Sequence, residues 1–237
     1  MTGRFSPHGL RIAAIDIGTN SLHMVIVEVT ATMGFKVLSS EKELTQLGSE
    51  SLVRHILPRQ AMNHTLSVLS RYMRVAHSLE CDRILAFATS AVRESINGGD
   101  FVLLAKTQLG LDIRVISSQE EARLIYLAVR QAVGMEDGPA LIIDIGGGSA
   151  ELIVGTPEKA LLLESRKLGA SRLTQQYIHH HGRTSCIKNF LRFSRSTFPN
   201  FLPATSIASM AAPATGGNNS RFIFARGASE PMAVNIS

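Results

Sequence analysis

The segment Asp144-Ile-Gly-Gly-Gly-Ser149-Ala-Glu151 places a carboxylate at each end of a loop containing three consecutive glycines. It lies where one apolar run, ALIIDI at 140–145, gives way to another, ELIVG at 151–155. Consecutive glycines reach backbone conformations closed to other residues and let N–H groups come close to an anion. Gly146, Gly147, Gly148 and Ser149 are therefore expected to cradle phosphate, and Asp144 and Glu151 to hold Mg²⁺ against its oxygens. The alternative is an ordinary tight turn with a solvated Glu151. A buried strand that delivers an Asp straight into Gly-Gly-Gly-Ser is unusual for a plain hairpin, which favours the cradle.

Asp16-Ile-Gly18-Thr19-Asn20-Ser21 repeats the arrangement: an acid at a strand end, then Gly and hydroxyl or amide side chains. These are also the residues that turns prefer, so this loop alone is weak evidence. Asp-Ile-Gly in two strand-turn-strand settings suggests two loops facing one phosphate or metal. In Phe87-Ala-Thr89-Ser90-Ala-Val-Arg93, two hydroxyls follow a strand end. Arg93 one turn later offers a planar guanidinium suited to bidentate phosphate contact. Spacing leaves open whether Arg93 does this or lies on the surface. Glu121 follows Ser117-Ser118-Gln-Glu120 at the start of a helix. Ser118-x-x-Glu121 has capping-box spacing, and on spacing alone the cap is the preferred reading. A carboxylate at such a junction could equally orient a water for attack on phosphorus.

The elements that must position these residues follow from periodicity. Residues 11–17 and 22–29 form a β-hairpin, and 35–47 extend it to a third strand. After Pro58, Met62, Leu66, Leu69, Met73 and Ala76 trace the stripe of an amphipathic helix. The pattern then alternates: strand 83–88, helix 100–109, strand 113–117, helix 119–133, strand 140–145. A second hairpin, 151–155 and 160–165, precedes a helix from 171 to about 178. This order implies an α/β domain with a mixed sheet flanked by helices. From 179 onward no period is sustained. The 59 or so remaining residues read as an irregular basic tail, and the histidines at 179–181 as a solvated run rather than a metal site.

Charge divides at the same region. The chain carries +5 overall, with 24 Lys/Arg and 19 Asp/Glu. Residues 1–165 hold 15 Lys/Arg and 18 Asp/Glu, a net of −3, which leaves 9 and 1, a net of +8, for 166–237. The basicity belongs to the tail, which has no recognisable reading module, so nucleic acid is not the expected partner. No apolar run reaches the roughly 20 residues of a membrane span, and the first ten residues lack a signal-peptide core, so a cytoplasmic location is expected. Cys81 and Cys186 have neither metal nor redox spacing.

Taken together, AIDIGTNSLHMVIVEV, FATSAVRES, VISSQEEARLIY and LIIDIGGGSAELIVG resemble, in order and approximate spacing, the exopolyphosphatase/guanosine pentaphosphate phosphatase family. The resemblance covers roughly 11–178. It implies a ribonuclease-H-like lobe of the actin-like ATPase superfamily, with 1–10 as an N-terminal extension and 179–237 as an atypical tail. It also implies Mg²⁺-dependent hydrolysis of terminal phosphoanhydrides, from polyphosphate or from guanosine pentaphosphate. By matching positions, Glu121 would be the base that activates water, which overturns the capping preference. Asp144 and Glu151, with Asp16 nearby, would bind Mg²⁺. Gly18, Thr19, Asn20, Ser21, Thr89, Arg93 and the 146–149 loop would hold phosphate.

Members of that family continue after SRKLGASRLTQQYI into a second lobe, and the sequence after 180 shows no equivalent. A truncated member is therefore expected, with two further readings. One is a catalytically incomplete phosphate-binding lobe that pairs with another chain, including a second copy, through an exposed inter-lobe face. The other is a sugar- or acetate-kinase-like phosphotransferase.

Overall fold

The computed structural model describes residues 9–30, 34–132, 139–175, 222–226 and 230–234. The chain divides into two compact units, 1–125 and 126–237. The N-terminal extension up to residue 8 and the histidine run at 179–181 lie outside the described residues, as does most of the tail.

The first unit begins with three antiparallel strands, β1 (Arg11–Ile17), β2 (Ser21–Val29) and β3 (Phe35–Leu44). Period-2 alternation puts Ala13, Ile15 and Ile17 of β1 and Leu22, Met24 and Ile26 of β2 on one fully buried face. The chain then runs through a four-residue helix, α1 (Ser51–Arg54), and a long one, α2 (Arg59–Ser78), before β4 (Arg83–Ala88). The helical crossover lets β4 pair parallel to β1, which a hairpin cannot do. After α3 (Ser90–Arg93) and α4 (Gly98–Leu109), β5 (Ile113–Val115) pairs parallel to β4. The resulting order is β3-β2-β1-β4-β5, a mixed sheet as the element pattern predicts and the ribonuclease-H-like lobe that the family resemblance implies.

Leu66, Leu69 and Tyr72 of α2 and Phe101 and Ala105 of α4 join the buried strand residues in one core cluster. Burial of a leucine or phenylalanine side chain contributes about 1.5–3 kcal/mol by leaving water. Of the stripe read from the sequence, Met62, Leu66, Leu69 and Ala76 are buried and Met73 packs partly against the core.

Two boundaries differ from expectation for a reason that bears on the site. β3 stops at Leu44 rather than at 47, because the N–H groups of Thr45 and Gln46 both turn to Asn20 O (2.9 and 2.8 Å) and that of Gly48 to Thr19 O (2.8 Å). The short β5 ends at Val115, and Ser117 becomes the cap of α5 (Ser118–Ala132), its hydroxyl accepting the Glu120 N–H at 3.1 Å. The helices α1 and α3, of four residues each, are too short to show a period in the sequence.

The second unit is organised around β6 (Ala140–Ile145), β7 (Ala150–Gly155) and β8 (Ala160–Arg166), again an antiparallel meander. Tyr126, in the part of α5 that belongs to this unit, donates to Thr156 O at 2.6 Å, and its ring covers Gly155 so closely that a Cβ there would fall 2.4 Å from a ring carbon. β8 leads into α6 (Ala170–Leu173), where the sequence predicted a helix from 171 to about 178; residues 176–178 lie outside the described set. Within the tail, β9 (Phe222–Arg226) pairs antiparallel with β6 and with β10 (Glu230–Val234). Among the described residues, no helix is long and apolar enough to cross a membrane.

Candidate active site

The two loops singled out in the sequence fold alike. Each joins the first two strands of its meander, and in each the glycine N–H closes the hairpin onto a serine carbonyl: Gly18 to Ser21 O at 3.1 Å, and Gly146 to Ser149 O at 3.0 Å. The first loop is tied inward by Thr19, whose hydroxyl lies 2.9 Å from that of Ser90; Thr19, Thr89 and Ser90 are all buried. The Thr19 and Ser90 hydroxyls therefore link the loop to the start of α3. Asp16 is exposed near the end of β1, where His23 of β2 and Phe87 of β4 are its ladder partners.

In the second unit, register brings three polar residues into one row. Asp144 of β6 is directly opposite Glu151 of β7, and Glu151 is opposite Ser165 of β8. Directly opposed residues share a face, with Cβ atoms about 4.5–5.5 Å apart. Ile142 and Ile153, both fully buried, form the next pair along that face, so the carboxylates sit where an apolar surface ends at the glycine loop. Glu151 is only 1% exposed, and the Ser165 hydroxyl donates to its Oε1 at 2.7 Å. Two carboxylates side by side, one of them buried, form a hard-oxygen donor set that suits a divalent cation. Among the described residues, no group of three or more His, Cys, Asp and Glu side chains stands ready to hold a metal. A cation here would rest on this pair.

Glu121 opens α5, and it does not close a capping box. The serine cap falls one residue earlier, Ser117 with Glu120, and Glu120 turns its carboxylate to Arg123 (2.9 Å). Glu121 reaches Arg93 instead: Arg93 Nη1 donates to Glu121 Oε2 at 3.0 Å and to Ile116 O at 2.7 Å. The two side chains are 22% and 16% exposed. Burial pushes the Glu121 carboxyl above the usual glutamate range, the Arg93 charge and hydrogen bond pull it back, and the neighbouring Glu94 charge adds to the upward push. A carboxylate of raised proton affinity, oriented by a guanidinium, is equipped to accept a proton from water.

Removing the opposing influence gives a direct test of this electrostatic balance. Followed by carboxyl ¹³C NMR, Glu121 should titrate above an ordinary glutamate in the wild-type chain, and higher still in Arg93→Met. Arg93→Lys, which keeps a charge, should move it less. An Arg93→Met midpoint at or below the wild-type value would show that Arg93 does not stabilise the ionised carboxyl.

The model of the Ppx/GppA phosphatase family matches residues 25–197. The chain belongs to this family. Among curated proteins, this Ppx/GppA chain is 30% identical to Exopolyphosphatase 1 of Mycobacterium tuberculosis (strain H37Rv) over 169 residues, covering 71% of the chain and 49% of the relative. Exopolyphosphatase 1 of Mycobacterium leprae is 31% identical over 169 residues, 71% of the chain and 50% of the relative. The chain thus spans about half the length of the curated relatives it matches. Among solved structures, an exopolyphosphatase from Cytophaga hutchinsonii superposes with a TM-score of 0.75 at 29% identity, covering 86% of this chain and 64% of that one. The Aquifex aeolicus family member gives 0.66 at 26% identity, covering 80% and 61%.

Several residues that matter to the site were not read from the sequence. Ser165, which holds Glu151, and the two glycines after the third strands, Gly48 and Gly169, lie far along the chain from what they contact. Their signal is weak but present, since both glycines follow a leucine just after a strand.

Proposed function

We propose that this Ppx/GppA chain hydrolyses terminal phosphoanhydride bonds, releasing orthophosphate from inorganic polyphosphate, with guanosine pentaphosphate as a second substrate of the same chemistry. The observation that carries the reading is the half-buried Glu121 carboxyl, held by Arg93 and raised in proton affinity. In this reading Glu121 accepts a proton from water, the water oxygen forms a bond to the terminal phosphorus, and the bridging P–O bond breaks. The departing chain, one phosphate shorter, takes the bridging oxygen.

Phosphoryl transfer needs little covalent help from a protein beyond positioning and charge neutralisation. In the first unit the 18–21 loop supplies backbone and hydroxyl donors, and Arg93 a guanidinium, for phosphate oxygens; in the second unit the 146–149 loop supplies donors of the same kind. Mg²⁺ would be held in the second unit by Asp144 and Glu151 and would neutralise charge on the phosphate, while Asp16 would offer a carboxylate beside the 18–21 loop of the first unit.

Orthophosphate release from long-chain polyphosphate by the purified chain in Mg²⁺, with Glu121→Ala and EDTA controls, tests the proposal. Release that disappears in both controls is the expected result. Release unaffected by Glu121→Ala, or none from a folded sample, would overturn it; the second outcome would leave a phosphate-binding lobe. Because no acceptor is added, turnover also separates hydrolysis from a kinase-like transfer.

A further inference from the structure

Both loops are braced from behind by the same device. After β3 the chain reads Leu47-Gly48-Ser49-Glu50-Ser51-Leu52, and after β8 it reads Leu168-Gly169-Ala170-Ser171-Arg172-Leu173, each passing into a four-residue helix. In the first unit, Thr45, Gln46 and Gly48 donate their N–H groups to the carbonyls of Asn20 and Thr19. In the second, Ala170 N–H donates to Gly146 O (2.8 Å), and those of Ser171 and Arg172 to Gly147 O (3.0 and 3.2 Å). Arg172 Nε adds a bond to Gly148 O at 2.8 Å. Three successive carbonyls of the glycine loop are thereby drawn to one side. In a planar trans peptide the N–H points opposite the C=O, so this turns the N–H groups of Gly147, Gly148 and Ser149 to the other side.

The glycines in these segments are explained by contact and not by backbone conformation. Gly169 has φ −65° and ψ 155°, open to any residue. A Cβ there would fall 2.3 Å from the carbonyl carbon and oxygen of Gly147 and 2.4 Å from Gly148 N. At Gly48 a Cβ would fall 2.3 Å from Thr19 Cγ2. Each glycine therefore allows a brace to lie directly against its loop.

We infer that segments 45–48 and 169–172 are positioning braces, and that Gly48 and Gly169 set the direction of the loop N–H groups and thereby their affinity for phosphate. The inference rests on the phosphate reading of the loops but not on turnover. Binding of inorganic pyrophosphate, followed through the backbone amide resonances of the full chain, tests it. Gly169→Ala should displace the Gly147 and Gly148 resonances and weaken pyrophosphate binding on the order of 10- to 100-fold, the loss of a hydrogen bond to a charged group, with the remaining spectrum native. Gly99→Ala, a site with nothing within 4 Å of a new Cβ, should bind as wild type.

Unchanged amides and unchanged affinity in Gly169→Ala would overturn the inference. Should that variant not fold, the first brace provides the test. Gly48→Ala, whose Cβ would also fall 3.1 Å from Ala91 Cβ and Ser51 Oγ, should displace the Thr19 and Asn20 amide resonances and weaken pyrophosphate binding, whereas unchanged amides and unchanged affinity would overturn the inference. A wild-type chain that binds pyrophosphate yet releases no orthophosphate from polyphosphate would sink the hydrolase proposal and leave the braces standing. One that does not bind pyrophosphate would sink both.

Discussion

Glu121→Gln is expected to lower orthophosphate release by about 10²–10⁴-fold, the usual contribution of a positioned general base, while raising the thermal midpoint of the chain at pH 7. The two effects have one cause. Burial holds the folded-state pKa of Glu121 above its ordinary value even against Arg93. Between the unfolded and folded pKa values the native state binds more protons than the unfolded one, so stability is lost as pH rises through that window and the loss is complete above it. Glutamine imitates the protonated acid and avoids that loss. The stability gain should therefore be present at pH 7 and close as pH falls below about 4, the ordinary glutamate range. Thermal unfolding against pH and phosphate release measure the two halves. A variant that loses turnover and is also less stable at pH 7 would mean that the Arg93 pair supports the fold rather than a base.

Mg²⁺ is expected to raise the thermal midpoint of the wild-type chain, and Glu151→Gln to abolish that rise and to lower turnover on the order of 10²-fold or more, several kcal/mol of lost charge neutralisation. Glu151 is buried beside Asp144 in a directly opposed ladder pair, and like charges so placed destabilise a sheet by up to about 1 kcal/mol. A cation offsets that repulsion, and so does removal of one charge. Without Mg²⁺ the variant should then be slightly more stable than the wild type. The substitution keeps an oxygen that can accept from the Ser165 hydroxyl, so packing is preserved. Differential scanning calorimetry with and without millimolar Mg²⁺ reads this independently of activity. Equal Mg²⁺ stabilisation of both proteins would remove Glu151 from the metal site.

The hairpins at both loops were legible because alternation is a local signal: Ile15 and Ile17 point one way and Asp16 the other whatever the rest of the chain does. The same alternation, with a four-residue loop between, puts Asp144 and Glu151 within reach of each other. The amphipathic stripe of α2 was legible for the same reason. The N-terminus of α5 was ambiguous, because Ser-x-x-Glu occurs in two registers, 117/120 and 118/121, and capping chemistry alone does not choose between them.

Local sequence therefore specified the strands, the glycine loops and the acids at their ends, all of which depend on neighbours within a few residues. Tertiary packing assigned Glu121 to Arg93 instead of to a cap, because α3, which directly follows β4 and ends at Arg93, carries the guanidinium to the carboxylate, β4 being paired parallel with the β5 strand that precedes Glu121. Packing also ended β3 at Leu44 and laid Gly48 and Gly169 against their loops. Those contacts satisfy backbone groups across long chain separations, and nothing in the periodicity of a single segment records which distant carbonyl its N–H will find.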